Sequence, residues 1–242
     1  MSKQLSVLLA KHTVMGLLAL IFLSTAVYAA DNAARVLVLV RHGHYAPDPA
    51  ADPKLGPGIS SLGIAQAHAV GDRLAHSKAR FDALYVSPLQ RAKDTAAVIG
   101  QSLPAAQFEV VPDLAECTPP TSRKEVTAQM PEAELLDCQQ QLDRLFEAYF
   151  KPAAGAEQRS LLVCHGNVIR YLVTRALGVD KQAWLGMSVS HASVTQIRIE
   201  ADGSARVISV GDVGHLPPSM LTGASGDPDR TLAVPGSTLK AQ

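Results

Sequence analysis

The sequence predicts a doubly wound α/β domain, with helices on both faces of a mostly parallel sheet. Residues 36–40 are five consecutive apolar residues with valine at alternate positions, which is typical of a strand buried on both faces. Residues 161–164 predict a second strand of this kind, and a helical pattern of apolar residues follows it. Residues 81–86 predict a third strand before another helical segment. Strands that alternate with helices in this way favour a parallel sheet covered on both sides.

The other elements follow from local patterns. The proline-rich segment 45–53 predicts a loop, and Ser60 and Ser61 are candidate caps for the helix that comes next. Pro88 suits the first turn of a helix that runs to about residue 102. The remaining predictions are a short strand at 108–111, an irregular substrate-facing insertion at 117–131, helices at about 132–150 and 181–187, and a hairpin of strands 192–200 and 205–210 around an Asp-Gly turn.

Charged and polar side chains follow the predicted strands at the points where they end. Arg41 and His42 come directly after the first strand, His165 follows the strand at 161–164, and Arg91 lies early in the helix after 81–86. Open α/β folds bind ligands at the carboxyl ends of their strands. A guanidinium binds a phosphoryl group in a forked geometry, and a neutral imidazole can attack phosphorus. The pattern therefore predicts a site for phosphoryl chemistry.

These junctions resemble the signature of a known family. Arg41, His42 and Gly43 near the start, with a second His-Gly pair at His165 and Gly166, resemble the histidine phosphatase (phosphoglycerate mutase-like) superfamily. The resemblance extends over roughly residues 36–218. It is closest to the branch that contains the mitochondrial serine/threonine phosphatase, because of the segments 164–171, 175–177 and 211–218.

The resemblance implies a role for each matching residue. His42 is the expected nucleophile and would carry the phosphoryl group as phosphohistidine. The residues expected to bind the phosphoryl oxygens are Arg41, Arg91, His165 and, at the pocket edge, Asn167. Glu116 is the expected general acid, and Asp113 is the alternative acid.

Further residues are candidates for the pocket. His44 departs from the family pattern, which often has Gln or Glu there, while His191 and His215 lie in segments that approach the site in the family. Asn167 has an alternative interpretation as a helix cap. The eight histidines show no close metal-ligand spacing, so no metal and no cofactor are expected.

These expectations together predict a phosphomonoester phosphatase with a phosphohistidine intermediate. A phosphorylated protein, with phosphoserine or phosphothreonine as substrate, or a small phosphomonoester is the expected partner. The alternatives are a phosphomutase acting on small phosphorylated metabolites and a non-catalytic module that binds phosphorylated ligands. A formal net charge of zero and a pI near 7.1 do not favour nucleic acid as a partner.

The amino terminus has the composition of a targeting segment. Lys3 and Lys11 precede an uncharged apolar run that ends in small residues before Asp31, so residues 1–30 predict a secretory signal and export, most simply to the periplasm. The alternative is an uncleaved membrane anchor formed by residues 14–30. A short linker at 31–35, the catalytic domain at 36–218 and a poorly ordered tail at 219–242 complete the predicted organisation.

The three cysteines are placed unevenly in the sequence. Cys164 ends a predicted buried strand, where a small thiol packs well. Cys117 follows the expected acid, and Cys138 lies early in the next predicted helix. These two residues either form a disulfide across the insertion or remain free thiols, and the sequence leaves both alternatives open.

Overall fold

A computed structural model describes residues 32–77 and 80–223 and shows a six-stranded sheet between two layers of helices. Across the sheet the strands lie in the order β4 (Glu109–Val110), β3 (Ala83–Val86), β6 (Gln158–Cys164), β2 (Arg35–Arg41), β7 (Val194–Ile199) and β8 (Ala205–Asp212). The first four strands are parallel, and β7 and β8 are antiparallel additions to the edge beside β2. The predicted α/β class with a mostly parallel sheet is confirmed.

Helices cover both faces of this sheet. α1 (Ser61–His76) and α2 (Gln90–Gly100) pack on one face, while α4 (Glu132–Tyr149) and α5 (Gly166–Ala176) pack on the other. The short helix α3 (Lys124–Thr127) lies between these pairs in the chain. Within residues 32–77 and 80–223, no helix combines the length and apolar composition needed to cross a membrane.

Strand β2 divides the hydrophobic core into two layers. Leu37 and Leu39 are fully buried with the apolar residues of α4 and α5, whereas Val36, Val38 and Val40 face α1 and α2. Each such side chain contributes roughly 1.5–3 kcal/mol by leaving water. The unbroken apolar run therefore reflects a strand with no solvent-facing side, and burial of both faces stabilises its central position in the sheet.

The start of α1 packs against the loop that leaves β2. The Ser60 side chain caps the helix by accepting a hydrogen bond from the Gly63 N–H at 3.2 Å. A Cβ added to Gly63 would overlap the carbonyl oxygen of His44, and one added to Gly43 would lie 2.6 Å from the Gly63 oxygen. Both glycines are thus required by a close approach of two backbones, which fixes the chain directly after His42.

Three segments form more regular structure than the sequence predicted. Residues 32–33, expected in a linker, form β1 (Asn32–Ala33), which pairs with β5 (Ala153–Ala154). Residues 219–223, expected in a poorly ordered tail, include part of the short helix Pro218–Met220, and Thr222 is buried. The segment 117–131 is also less irregular than expected, because it contains α3 and the Trp184 indole donates to the Pro120 oxygen. Residues 1–31 and 224–242 lie outside the described residues.

Candidate active site

The ends of three neighbouring parallel strands bring the predicted side chains together. Arg41 at the end of β2 lies opposite Cys164 of β6, and Val86 of β3 lies opposite Val163. His42 and His165, which directly follow two of these strands, have ring centroids 5.0 Å apart. Arg91 in the first turn of α2 reaches the same place, where its Nε donates to His42 Nε2 at 3.3 Å.

His42 is buried and held in one orientation. Its Nδ1 lies 2.8 Å from the Gly43 carbonyl oxygen, which can only accept, so Nδ1 carries the proton. Nε2 accepts a hydrogen bond from Arg91, so the lone pair of the imidazole lies on Nε2. Burial, followed by the neighbouring His165 and Arg41, holds the pKa of His42 well below its usual value. The ring is thus neutral, and its basic nitrogen points towards the cationic side chains.

Arg41 is almost fully buried, and protein acceptors already bind part of its guanidinium. Nη1 donates to the carbonyl oxygens of Val189 and Gly223, each at 2.6 Å. Nη2 lies 3.1 Å from His191 Nε2, while Nε has no partner. Burial lowers the pKa of Arg41 to about 10, so the group remains charged at neutral pH.

His165 lies at the N-terminus of α5 and is fully buried. Its Nε2 is 2.7 Å from Ser87 Oγ, and Ser87 Oγ also accepts from the Leu89 N–H at 3.3 Å. The Ser87 hydroxyl can donate its hydrogen to His165 Nε2, and in that arrangement the imidazole proton lies on Nδ1. That Nδ1 atom has no partner. Burial, then Arg91 and Arg41, lower the pKa of His165 and keep it neutral.

Glu116 is held beside this cluster by α4 and α5. The side-chain amide of Gln141 donates to the carbonyl oxygens of Asp113 and Ala115 at 3.0 and 2.8 Å, which fixes the preceding turn. Glu116 Oε1 accepts from the Asn167 N–H in the first turn of α5 at 3.3 Å, and Oε2 is buried without a partner. Burial raises the pKa of Glu116, although Arg41 and the Asn167 N–H act in the opposite direction.

Unpartnered buried atoms are concentrated in this region. In the described part of the chain, five buried side-chain nitrogen or oxygen atoms lack a hydrogen-bond partner, and four of them belong to Arg41, Glu116, His165 and Arg170. Buried polar atoms in folded proteins almost always have partners. Three of these four residues carry N–H donors, so the arrangement suits an anionic ligand. No group of three or more His, Cys, Asp or Glu side chains within residues 32–77 and 80–223 could hold a metal ion.

The remaining candidates divide between the site and its surroundings. His191 contacts Arg41, and its ring centroid lies 5.3 Å from that of His42. His44 is half-buried and hydrogen-bonded to Ser60, with its ring 5.6 Å from His191. His215 lies elsewhere, between Arg73 and the Ala192 oxygen, so the structure does not bring it to His42.

Two other expectations are corrected by the geometry. The cap of α5 is His165, so Asn167 is not the helix cap. Its side-chain amide donates to the Cys117 oxygen at 3.1 Å and supports the loop that carries Glu116. Asp113, the alternative acid, is paired with Arg144 of α4 at 3.0 Å, which turns its carboxylate away from the cluster.

Sequence reasoning missed several residues of this region. Tyr45 packs with its ring 5.5 Å from that of His42 and under the Arg91 guanidinium at 5.2 Å. Arg170 is buried, and its Nη1 donates to Asn167 Oδ1 at 3.3 Å. The spacing of three residues between Asn167 and Arg170 on a helix could have indicated it. Ser87 could have been found as the residue directly after β3.

Cys117 and Cys138 form a disulfide, with their Cα atoms 5.6 Å apart. This resolves the two alternatives that the sequence left open. The bond joins the residue after Glu116 to the start of α4 and closes the insertion. Cys164 is a free, buried thiol in the described part of the chain, and burial raises its pKa above the usual value, so it is expected to be unreactive.

Comparison with known proteins identifies the relatives of this chain. The model of the histidine phosphatase superfamily (branch 1) matches residues 37–212. The mitochondrial serine/threonine-protein phosphatase Pgam5 of Caenorhabditis elegans is 33% identical over 196 residues, which cover 79% of this chain and 67% of that protein. Pgam5 of Xenopus tropicalis is 28% identical and covers 79% of this chain and 69% of that protein.

A solved structure shows the same fold. The crystal structure of phosphoglycerate mutase from Plasmodium falciparum superposes with a TM-score of 0.54 at 27% identity and covers 77% of this chain and 96% of that one. The α/β fold is therefore phosphoglycerate mutase-like, as the motifs indicated.

The comparisons contradict the location predicted from the amino terminus. The curated relatives are named as mitochondrial proteins, so the expectation of export to the periplasm is wrong. That expectation rested on composition alone, and a basic start before an apolar run does not specify a compartment. Residues 1–30, including the run at 14–30, lie outside the described residues.

The family assignment agrees with the geometry at both His-Gly junctions used to predict it. Both His-Gly junctions lie at the carboxyl edge of the parallel strands, within the matched range of residues. The chain belongs to branch 1 of the histidine phosphatase superfamily and is a histidine phosphatase related to Pgam5.

Proposed function

We propose that this protein hydrolyses phosphomonoesters through a phosphoryl group carried on His42, and that phosphoserine and phosphothreonine in proteins are its substrates. The observation that carries the proposal is the state of His42. Its Nδ1 proton is held by the Gly43 oxygen, so Nε2 presents a lone pair among buried cations. A neutral imidazole fixed in this tautomer is ready to act as a nucleophile.

The neighbouring donors fit the oxygens of a phosphoryl group. Arg41 Nε and His165 Nδ1 are buried and without partners, and Arg91 contacts the nucleophilic nitrogen itself. Donors that are already oriented stabilise the charge that develops on the equatorial oxygens during transfer. Arg170 adds a further buried cation beside Glu116. Phosphoryl binding would give partners to the unpartnered nitrogens of Arg41 and His165.

Glu116 supplies the proton transfers in the proposed reaction. His42 Nε2 attacks phosphorus while the bond to the serine or threonine oxygen breaks, and Glu116 gives its proton to that leaving oxygen. Glu116 then takes a proton from water, which attacks the phosphohistidine, releases inorganic phosphate and restores His42. The raised pKa of Glu116 favours the acid form that the first step needs.

The substrate class rests on the relatives. The curated relatives from Caenorhabditis elegans and Xenopus tropicalis are both named serine/threonine-protein phosphatases. The similarity to a phosphoglycerate mutase keeps transfer to a second acceptor as the alternative activity. The two activities differ in their product, because a mutase returns the phosphoryl group to an organic acceptor and a phosphatase releases inorganic phosphate.

The test is to trap the intermediate with a ³²P-labelled phosphoserine peptide. Label should remain on the protein after an alkaline quench and be lost after an acid quench, because phosphohistidine is acid-labile. His42→Ala should abolish labelling and lower turnover by several orders of magnitude, whereas His76→Ala, at an exposed position of α1, should change neither. Label that persists in His42→Ala would reject His42 as the nucleophile.

A further inference from the structure

We propose that Gln66, Thr222 and His191 form a hydrogen-bonded relay that orients the Arg41 guanidinium for phosphoryl binding, with Thr222 stabilising the tautomer of His191 that accepts from Arg41. The inference rests on the proposed function, because it assigns the orientation of one of its phosphoryl-binding groups. The three residues are positioning residues that act through Arg41. The relay joins α1, the segment before β7 and the chain after the short helix Pro218–Met220.

The direction of each hydrogen bond follows from the chemistry of the partners. Arg41 can only donate, so His191 Nε2, 3.1 Å from Nη2, must accept. The pKa of His191 is lowered to about 2 by burial and by Arg41, so the ring is neutral and its one proton lies on Nδ1. That proton points to Thr222 Oγ1 at 3.0 Å, which must therefore accept.

Gln66 holds Thr222 in its role as acceptor. The Gln66 side chain is fully buried, and its Nε2 donates to Thr222 Oγ1 at 3.0 Å and to the Met220 oxygen at 2.6 Å. Its Oε1 accepts from the His44 N–H at 2.7 Å, which fixes the orientation of the amide. Thr222 Oγ1 thus receives two hydrogen bonds, one from Gln66 and one from His191, and both of its lone pairs are used.

The end of the relay determines which edge of Arg41 is free. Nη1 is occupied by the Val189 and Gly223 oxygens, and one Nη2 hydrogen is directed to His191. The unpartnered Nε–H and one Nη2 hydrogen remain. When His191 binds the Nη2 hydrogen that is farther from Nε, the two free hydrogens lie on one edge of the planar group. That edge matches two phosphoryl oxygens in a bidentate contact.

The residue after Thr222 is constrained by the same contacts. Gly223 has φ +72°, and a Cβ added there would lie 2.5 Å from His191 Nδ1 and 3.1 Å from Arg41 Nη1. Only glycine fits this conformation and this close approach without strain. Residues 222–223 therefore belong to the phosphoryl-binding site, although they are about 180 residues from Arg41 in the sequence.

Loss of the Thr222 hydroxyl should disturb Arg41 through the tautomer of His191. In Thr222→Val, the Nδ1 proton of His191 would be buried without an acceptor, which destabilises the tautomer that accepts from Arg41 and raises the population protonated at Nε2. In the Nε2-protonated tautomer, Nε2–H and Arg41 Nη2 would be two donors facing each other, and the guanidinium would turn away. The expected result is about a tenfold loss of affinity for inorganic phosphate.

The experiment combines ¹⁵N NMR of the histidine side chains with phosphate titration of the full chain. His191 in the unsubstituted protein at pH 7 should be protonated at Nδ1 alone. Thr222→Val should raise the population protonated at Nε2 and weaken phosphate binding about tenfold, while Thr222→Ser, which keeps the hydroxyl, should retain both properties of the unsubstituted protein. Thr121→Val removes a hydroxyl from another fully buried threonine, one that donates to the Gln182 oxygen, and should not alter His191.

A double-mutant cycle tests whether Thr222 acts through the imidazole. In His191→Asn the side-chain oxygen can accept from Arg41 in place of Nε2, so adding Thr222→Val should cause little further loss. A full tenfold loss in that background would overturn the relay, as would Nε2 protonation of His191 in the unsubstituted protein. The NMR measurement needs no turnover. Failure of the proposed phosphatase function would appear instead as absent labelling of His42.

Discussion

Glu116→Gln provides the most direct test of whether Glu116 donates a proton to the leaving oxygen. The substitution keeps the size of the side chain and leaves an oxygen that can accept from the Asn167 N–H, as Oε1 does at 3.3 Å. It removes the only proton that the side chain can give. A general acid accelerates proton-dependent steps by about a hundredfold to ten-thousandfold, so kcat/KM for a phosphoserine peptide should fall about a thousandfold.

The leaving group separates proton donation from structural damage. The nitrophenolate of 4-nitrophenyl phosphate needs little protonation, so its kcat/KM, which reports the first phosphoryl transfer, should fall less than about tenfold. Glu125→Gln is the matched control, because Glu125 is an exposed glutamate of the adjacent insertion and pairs with Arg123. It should leave both substrates unaffected. Similar losses on the two substrates in Glu116→Gln would refute proton donation and indicate a structural role.

The pH dependence gives a second readout for the same variant. Because burial raises the pKa of Glu116, its acid form persists to higher pH than that of a free glutamate. The kcat/KM for the phosphoserine peptide should fall as pH rises through that pKa. This fall should be absent from the pH profile of Glu116→Gln, since no ionisable group remains at that position. A fall of kcat/KM at the same pH in the variant would show that another group causes it.

Three further predictions follow from the structure. Cys138→Ser should lower the free energy of unfolding by about 3 kcal/mol and weaken turnover of the phosphoserine peptide more than that of 4-nitrophenyl phosphate. Alkylation of the unreduced, denatured parent protein should label Cys164 alone. Labelling at all three cysteines would contradict the disulfide. Gly63→Ala should displace the His44 backbone and lower kcat/KM on the order of a hundredfold. Gly186→Ala, which has nothing within 4 Å of the added Cβ, should have the kcat/KM of the parent protein. Equal kcat/KM values for the two variants would show that the close approach of the two backbones is unimportant for activity. The buried histidines 42, 165 and 191 have lowered pKa values, so the unfolded chain binds more protons below about pH 6.5 and stability should fall with pH, by roughly 1.4 kcal/mol per histidine at one pH unit below that value. The raised pKa of Glu116 acts with the opposite sign, so urea unfolding at pH 7.5 and 5.5 is compared in the parent protein and in Glu116→Gln. No loss of stability in Glu116→Gln at the lower pH would show that these rings accept protons in the folded state.

The sequence by itself determined the framework of the site. The apolar runs at 36–40 and 161–164 are typical of buried strands, and the carboxyl ends of parallel strands lie at one edge of a sheet. Arg41, His42 and His165 were therefore predicted to converge, and the structure brings their side chains together. The strands could be predicted because a pattern of apolar residues is local and requires no knowledge of distant segments. Local composition gave a wrong prediction at the amino terminus, because a basic start before an apolar run does not specify a compartment.

Tertiary structure alone decided which polar groups complete the site. His191 and His215 were equivalent candidates in the sequence, but only His191 lies against Arg41, while His215 pairs with Arg73. Thr222 carried no signal at all, because its role depends on Gln66 and on an imidazole 31 residues away. Buried hydrogen bonds join whichever donors and acceptors the packing brings within about 3 Å. Such pairings follow from the closed fold, and no spacing along the chain encodes them.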